Sequence, residues 1–105
     1  MQHKVSKNTE LELQQLLRTQ PKQGFDRVFE TYWQRLFSYA YQIYAEERIC
    51  EDIIQEVFVS LWEKLEYTSI INLEGYLFRA VKYKVFNHLR DLKFTQEHQE
   101  VLEQI

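Results

Sequence analysis

The chain has 105 residues, enough for one small domain, and 45% of them are hydrophobic, too many for a disordered tail. Two glycines and one proline are too few turn-formers for an all-β fold, so long helices with few connections are expected. A formal net charge of -3 excludes a uniformly basic nucleic-acid binder, and a single cysteine excludes an internal disulfide.

The charge is segregated along the chain. Residues 46–66 carry seven acids and two bases, a net -5, whereas residues 73–95 carry five bases and two acids, a net +3. Two explanations fit: partners of opposite sign, or two helices that attract each other.

Met1–Lys7 is polar and lacks the apolar centre of a signal peptide. No apolar run approaches the roughly 20 residues of a membrane span. A soluble intracellular protein is expected. Asn8 or Thr9 is placed to cap a short helix over Glu10–Thr19, with Leu13, Leu16 and Leu17 on one face. Gln20–Gly24, which contains Pro21, reads as a breaker. A long amphipathic helix follows over Phe25–Tyr44, with Val28, Phe29, Tyr32, Leu36, Ala40 and Ile43 at spacings of three and four. Trp33, Phe37 and Tyr41 widen its apolar surface, which calls for a second neighbour or an external partner.

After a polar junction at Ala45–Arg48, the stretch Cys50–Lys64 predicts the central helix. Cys50, Ile53, Ile54, Val57, Phe58 and Leu61 gather on one face, whereas Asp52, Gln55, Glu56, Val59 and Glu63 gather on the other. Glu66–Asn72 reads as a loop, with Asn72 as the cap of a last helix over Leu73–Lys93. There Leu77, Val81, Val85, His88 and Leu92 form the apolar side. Arg79, Tyr83, Phe86 and Arg90 lie opposite, flanked by Lys82, Asn87 and Lys93. The result is an all-α bundle of three main helices with a short N-terminal helix. Residues 1–24 form the N-terminal segment and 25–94 the helical domain; the polar stretch from Thr95 fits a helical extension or a linker, and 95–105 is assigned as the start of a linker.

The second face of the last helix interleaves bases with aromatic rings, a composition that suits phosphates and unpaired nucleobases. A second buried edge with a solvated basic rim would give the same pattern. Catalysis has little support. There is no nucleophile elbow, phosphate loop or zinc-binding histidine pair. His88 and Cys50 read as packed residues rather than as a ligand and a reactive thiol. No cofactor or metal is expected.

Three segments in order carry a resemblance. They are Phe25–Phe37 (FDRVFETYWQRLF), Glu51–Trp62 (EDIIQEVFVSLW), and the pair Tyr76–Arg79 with Asn87–Arg90. Together they resemble the region 2 domain of bacterial sigma factors, of the extracytoplasmic-function group. The resemblance implies that Asp52, Gln55 and Glu56 help to dock on the β′ clamp helices of RNA polymerase, with Val59 and Glu63 extending that face. It implies that the last helix meets the promoter -10 element and holds its non-template strand. Arg79, Lys82, Arg90 and Lys93 would meet phosphate, and Tyr83, Phe86 and Asn87 would meet bases or backbone. The loop Tyr67–Asn72 corresponds to one that captures a flipped base. A cytoplasmic bacterial protein is implied, with an anti-sigma factor as a further partner. Many members of the family have Trp, Asn and Asp where this chain has Tyr76, Tyr83 and Asn87. A second domain reading the -35 element normally follows, so the chain is expected to be a fragment of a longer factor. The rival expectation is a helical module that occupies the polymerase clamp without binding DNA. A small enzyme using paired carboxylates is a third class.

Overall fold

The computed structural model describes residues 6–65 and 70–103. Among them are four helices and no strand: α1 (Lys7–Thr19), α2 (Pro21–Ile43), α3 (Glu47–Lys64) and α4 (Leu73–Glu103). The all-α expectation holds. α1 packs on α2, and α2, α3 and α4 pack on one another.

The core follows the periodicity of the sequence. Val28, Tyr32, Leu36 and Ala40 of α2 are fully buried, and they meet Cys50, Ile54, Val57 and Leu61 of α3 and Leu73, Leu77, Val81 and Val85 of α4. α1 adds Leu13 and Leu17. The wide apolar surface of α2 is resolved mainly by its neighbours. Phe25 and Phe29 meet Phe58 edge-on and tilted, with ring centroids 6.0 and 4.9 Å apart. Trp33, Phe37 and Tyr41 stack in a row along the flank, leaving Tyr41 exposed at its end.

The helix boundaries differ from the expected ones in four places. Ser6, not Asn8 or Thr9, caps α1: its hydroxyl accepts from the Thr9 N–H at 3.2 Å. Glu46 caps α3 by accepting from the Ile49 N–H at 3.0 Å, so that helix begins three residues before Cys50. α4 runs to Glu103, ten residues past Lys93, and its final stretch is exposed. Leu92, expected on the core side, is therefore also exposed, because the packed part of the bundle ends near Leu89.

The fourth difference concerns the breaker. Gln20 alone separates α1 from α2, and Pro21 starts α2. Proline suits a first helical position, where its missing N–H would have no intrahelical partner. Gly24 is helical and buried against α1. A Cβ there would stand 2.6 Å from the Leu17 nitrogen and 2.8 Å from its Cα. Its role is close helix approach, since backbone atoms have no room to yield. Gly24→Ala is expected to destabilise the fold by about 1–3 kcal/mol through overpacking. The check is a lower urea midpoint at unchanged slope. A midpoint equal to that of the parent chain would place the α1–α2 contact wrongly.

Candidate nucleic-acid and partner interface

The α3 residues proposed to bind a partner stand together. Asp52, Gln55, Glu56, Val59 and Glu63 are all exposed on the side of α3 away from the core. Val59 is 57% exposed in the middle of this polar row. Asp52, Gln55, Glu56 and Val59 line a shallow groove with Ser60 and with Lys84 of α4. Glu63 continues the row outside that groove.

The α4 residues divide between two aspects. Lys82, Phe86, Arg90 and Lys93 are exposed on the outer side, with the Lys82 ammonium 6.0 Å from the centre of the Phe86 ring, and the exposed Arg79 borders a groove with Ser60 and Lys64 of α3. Tyr83 and the half-buried Asn87 turn toward α3, where they share a groove with Asp52 and Glu56. The acidic and basic rows are therefore adjacent rather than remote. They touch through one ion pair among the described residues, Lys84 Nζ to Glu56 Oε2 at 3.4 Å. Of the two explanations of the charge segregation, attraction between the helices is met by this one pair, and the other bases of α4 form no ion pair with α3 among the described residues.

Residues 67–69 of the expected base-capturing loop lie outside the described residues. Beyond them, Ile70 is half-buried and Ile71 is 88% exposed. Sequence reasoning left Lys64, Ser60 and Lys84 out of the candidate site and treated Tyr76 only as a departure. All four line grooves between α3 and α4. Each lies at the edge of a helix face, so its partner helix had to be known before its surroundings were.

The start of α4 is held by three other segments. Asn72 accepts from the Gly75 N–H at 3.0 Å, as expected for a cap. Glu10 of α1 accepts from the Glu74 N–H at 2.9 Å, satisfying a second free donor of the helix end. The Gln14 side-chain amide donates to the Ile71 carbonyl. Arg35 of α2 pairs with Glu74 at 2.6 Å, the two side chains being 17% and 21% exposed. The same guanidinium lies 5.1 Å from the Phe78 ring centre and 5.7 Å from that of Tyr32. This seating orients every α4 side chain that follows.

Cys50 and His88 are both held in packed surroundings, as expected. The Cys50 thiol is buried and donates to the Tyr44 carbonyl at 3.1 Å. Burial pushes it above its ordinary pKa, which keeps it protonated. His88 packs against Tyr44, the ring centres 5.6 Å apart. Among the described residues no group of three or more His, Cys, Asp or Glu is arranged to hold a metal ion. No helix among them is long and apolar enough to cross a membrane.

A protein-family model described as Sigma-70 region 2 matches residues 28–95. The match spans every candidate residue on α3 and α4. No curated protein and no solved structure matches the chain.

Burial pushes the Tyr32 hydroxyl far above its ordinary value near 10, and the charges of Glu74 and Glu10 act in the same direction. In the unfolded chain this phenol ionises first. Its contribution to stability is complete below about pH 10 and is lost as the pH rises further, because the unfolded state then binds fewer protons. Tyr32→Phe is expected to flatten the fall in urea midpoint between about pH 9 and about pH 11. An equally steep fall in that variant would show that another group is responsible.

Proposed function

The chain belongs to the sigma-70 region 2 family, a family of non-enzymatic transcription-initiation domains, and on that premise we propose that it joins core RNA polymerase to promoter DNA in two specific ways. The outer row of α3, Asp52, Gln55, Glu56, Val59 and Glu63, docks on the clamp helices of the β′ subunit. The outer face of α4 holds the non-template strand of the -10 element once the duplex opens. We assign the chain to the extracytoplasmic-function group and to the bacterial cytoplasm.

The observation that carries this reading is the exposure of Val59 amid an acidic and amide row, directly beside an exposed basic-aromatic helix. An apolar side chain inside a charged row supplies contact area, whereas the carboxylates steer a basic partner and fix its register. On α4 the bases neutralise phosphate without reading sequence, and the rings offer faces to unpaired bases.

Magnitudes show how the work divides. Opening duplex costs on average about 1.4 kcal/mol of stacking per step. A base stacked on an aromatic ring recovers about 1–3 kcal/mol. One captured base therefore offsets only one or two steps. The remaining stabilisation of the open strand has to come from phosphate contacts. The domain makes and breaks no bond: it shifts the population toward the open strand by binding that state better.

Reversing Asp52 and Glu56 to Lys is expected to weaken binding to a purified β′ clamp-helix fragment at least tenfold. Like charges brought together across an interface cost several kcal/mol. Circular dichroism should remain that of the parent chain, since both residues are exposed. Undiminished capture of the clamp fragment sinks the docking assignment.

Replacing Arg79 and Arg90 by Ala is expected to weaken binding to single-stranded -10 DNA. The slope of log affinity against log salt should flatten by about 0.7 for each phosphate that is no longer neutralised. If affinity and slope both stay put, the rival of a clamp-occupying module without a DNA role takes its place.

A further inference from the structure

Past Leu89, α4 leaves the packed bundle and runs on to Glu103, and every described side chain from Arg90 onward is exposed. A helical stretch without tertiary contacts has little to hold it in water, so it gains from a second surface. Two apolar side chains lie on this stretch, Phe94 at 69% and Val101 at 58% exposed. Alone they do not say what covers the helix. The charges around them do.

At about 100° per residue, Lys82, Phe86, Arg90, Lys93, Glu97 and Glu100 fall within one sector of about 80°, with Phe94 and Val101 at its border. The sector is basic and aromatic as far as Lys93 and acidic beyond it. Among the described residues, Lys93, Glu97 and Glu100 form no ion pair, and Arg90 has only its neighbour Asp91 at 4.0 Å, both side chains being largely exposed. A partner of uniform charge meets one half of this face and is repelled by the other. A face with opposite halves fits a partner that carries the same halves in reverse order. A second copy of α4, laid antiparallel, offers that order.

We propose that two copies of this chain pair through this face of α4, about a two-fold axis at Thr95. Lys93 of each copy then meets Glu97 of the other, and Arg90 meets Glu100. Arg90 and Lys93 are three residues apart, as are Glu97 and Glu100, so both pairs share one register. The two-fold makes each contact twice. Parallel pairing would set like charges on like. Phe94 and Val101 supply apolar contact at the border, while the ion pairs set orientation and register. One consequence rests on the proposed single-strand role of α4: the pair covers Arg90 and Lys93, so a second copy and a DNA strand exclude each other.

The test uses the whole chain. Sedimentation over a range of concentrations is expected to show a monomer–dimer equilibrium that moves toward monomer as salt rises, because exposed charges are screened. Arg90→Glu with Lys93→Glu makes the face acidic throughout, and Glu97→Lys with Glu100→Lys makes it basic throughout. Each double variant alone is expected to lose self-association at least tenfold. An equimolar mixture of the two is expected to regain it, since every facing pair is then of opposite sign. All four residues are exposed, so circular dichroism should remain that of the parent chain. A parent chain that stays monomeric up to about 1 mM overturns the pairing. A dimer that both double variants retain overturns it too, and so does a mixture that fails to associate. Adding a short single strand of DNA to the parent is expected to split the dimer into one-to-one complexes. A strand that binds the intact dimer through unchanged contacts overturns the pairing through Arg90 and Lys93. A strand that binds neither monomer nor dimer overturns the single-strand role of α4 and the mutual exclusion, whereas the charge-swapped mixture still decides the pairing.

Discussion

The N-terminus of α4 is the joint on which the functional surface depends. Glu10 of α1, Asn72 and Arg35 of α2 converge on its first turn, where Asn72 and Glu10 satisfy two N–H groups that the helix leaves free. Each cap of this kind contributes about 1 kcal/mol. The Arg35–Glu74 pair adds a constraint of a different sort. Its side chains are largely withdrawn from water, so removing one partner leaves the other charge poorly solvated. The pair consequently specifies where the first turn sits more firmly than it stabilises the bundle. An error of one residue in that seating rotates every later side chain by about 100°, which would turn Tyr83 off the groove and Val81 out of the core.

The two candidate faces follow from the same geometry. α3 and α4 each devote one side to a common core of fully buried aliphatic residues. What remains outside is acidic on α3 and, over residues 79–93, basic on α4, whose last turns add Glu97, Glu100 and Glu103. Where the helices meet at their outer edges, charge is partly matched by Lys84 and Glu56, and the rest is left for other molecules. An exposed pair of this length contributes at most about 1 kcal/mol, so packing and not charge attraction holds the helices together. The segregated charge is thus largely available for recognition rather than used up within the fold.

Much of this arrangement is legible in the residues. The core side of α3 and the buried row of α2 follow from spacings of three and four, because burial on one side is what such spacing means. Asn72 is a cap by its chemistry and its place before an apolar run. Gly24 is less legible: a glycine three residues after a proline signals a turn, whereas here it lets two backbones touch, a fact that belongs to the pair of helices. Glu46 is an uncommon capping residue, and the apolar pattern of α3 begins only at Cys50, so the first turn leaves no periodic trace. The length of α4 was hidden for the opposite reason. Polar residues after Thr95 fit a helix without a core as well as a linker, and Leu92 continues a periodicity that outlives the bundle. On the interface the individual residues were readable, but their division between outer face and inter-helix groove was not. Lys84 belongs to both helices' surroundings and to neither helix's own pattern.

Adjacency of the two faces has a physical consequence for initiation. Asp52 and Glu56 share a groove with Tyr83 and Asn87, and the side chains beneath them are close-packed. Such interiors transmit displacement rather than absorb it. On the proposed function, a partner seated on α3 would therefore fix the position of α4 through the core, without any change in fold. Lys84 adds a second, electrostatic link. A cationic partner group that takes Glu56 frees Lys84 for phosphate, and phosphate on Lys84 frees Glu56 for the partner. By linkage the two effects are equal in free energy, and the exposure of the pair keeps both small. The larger contribution is geometric: on the proposed function, one packed bundle would present the α4 face at a fixed place relative to a partner docked on α3.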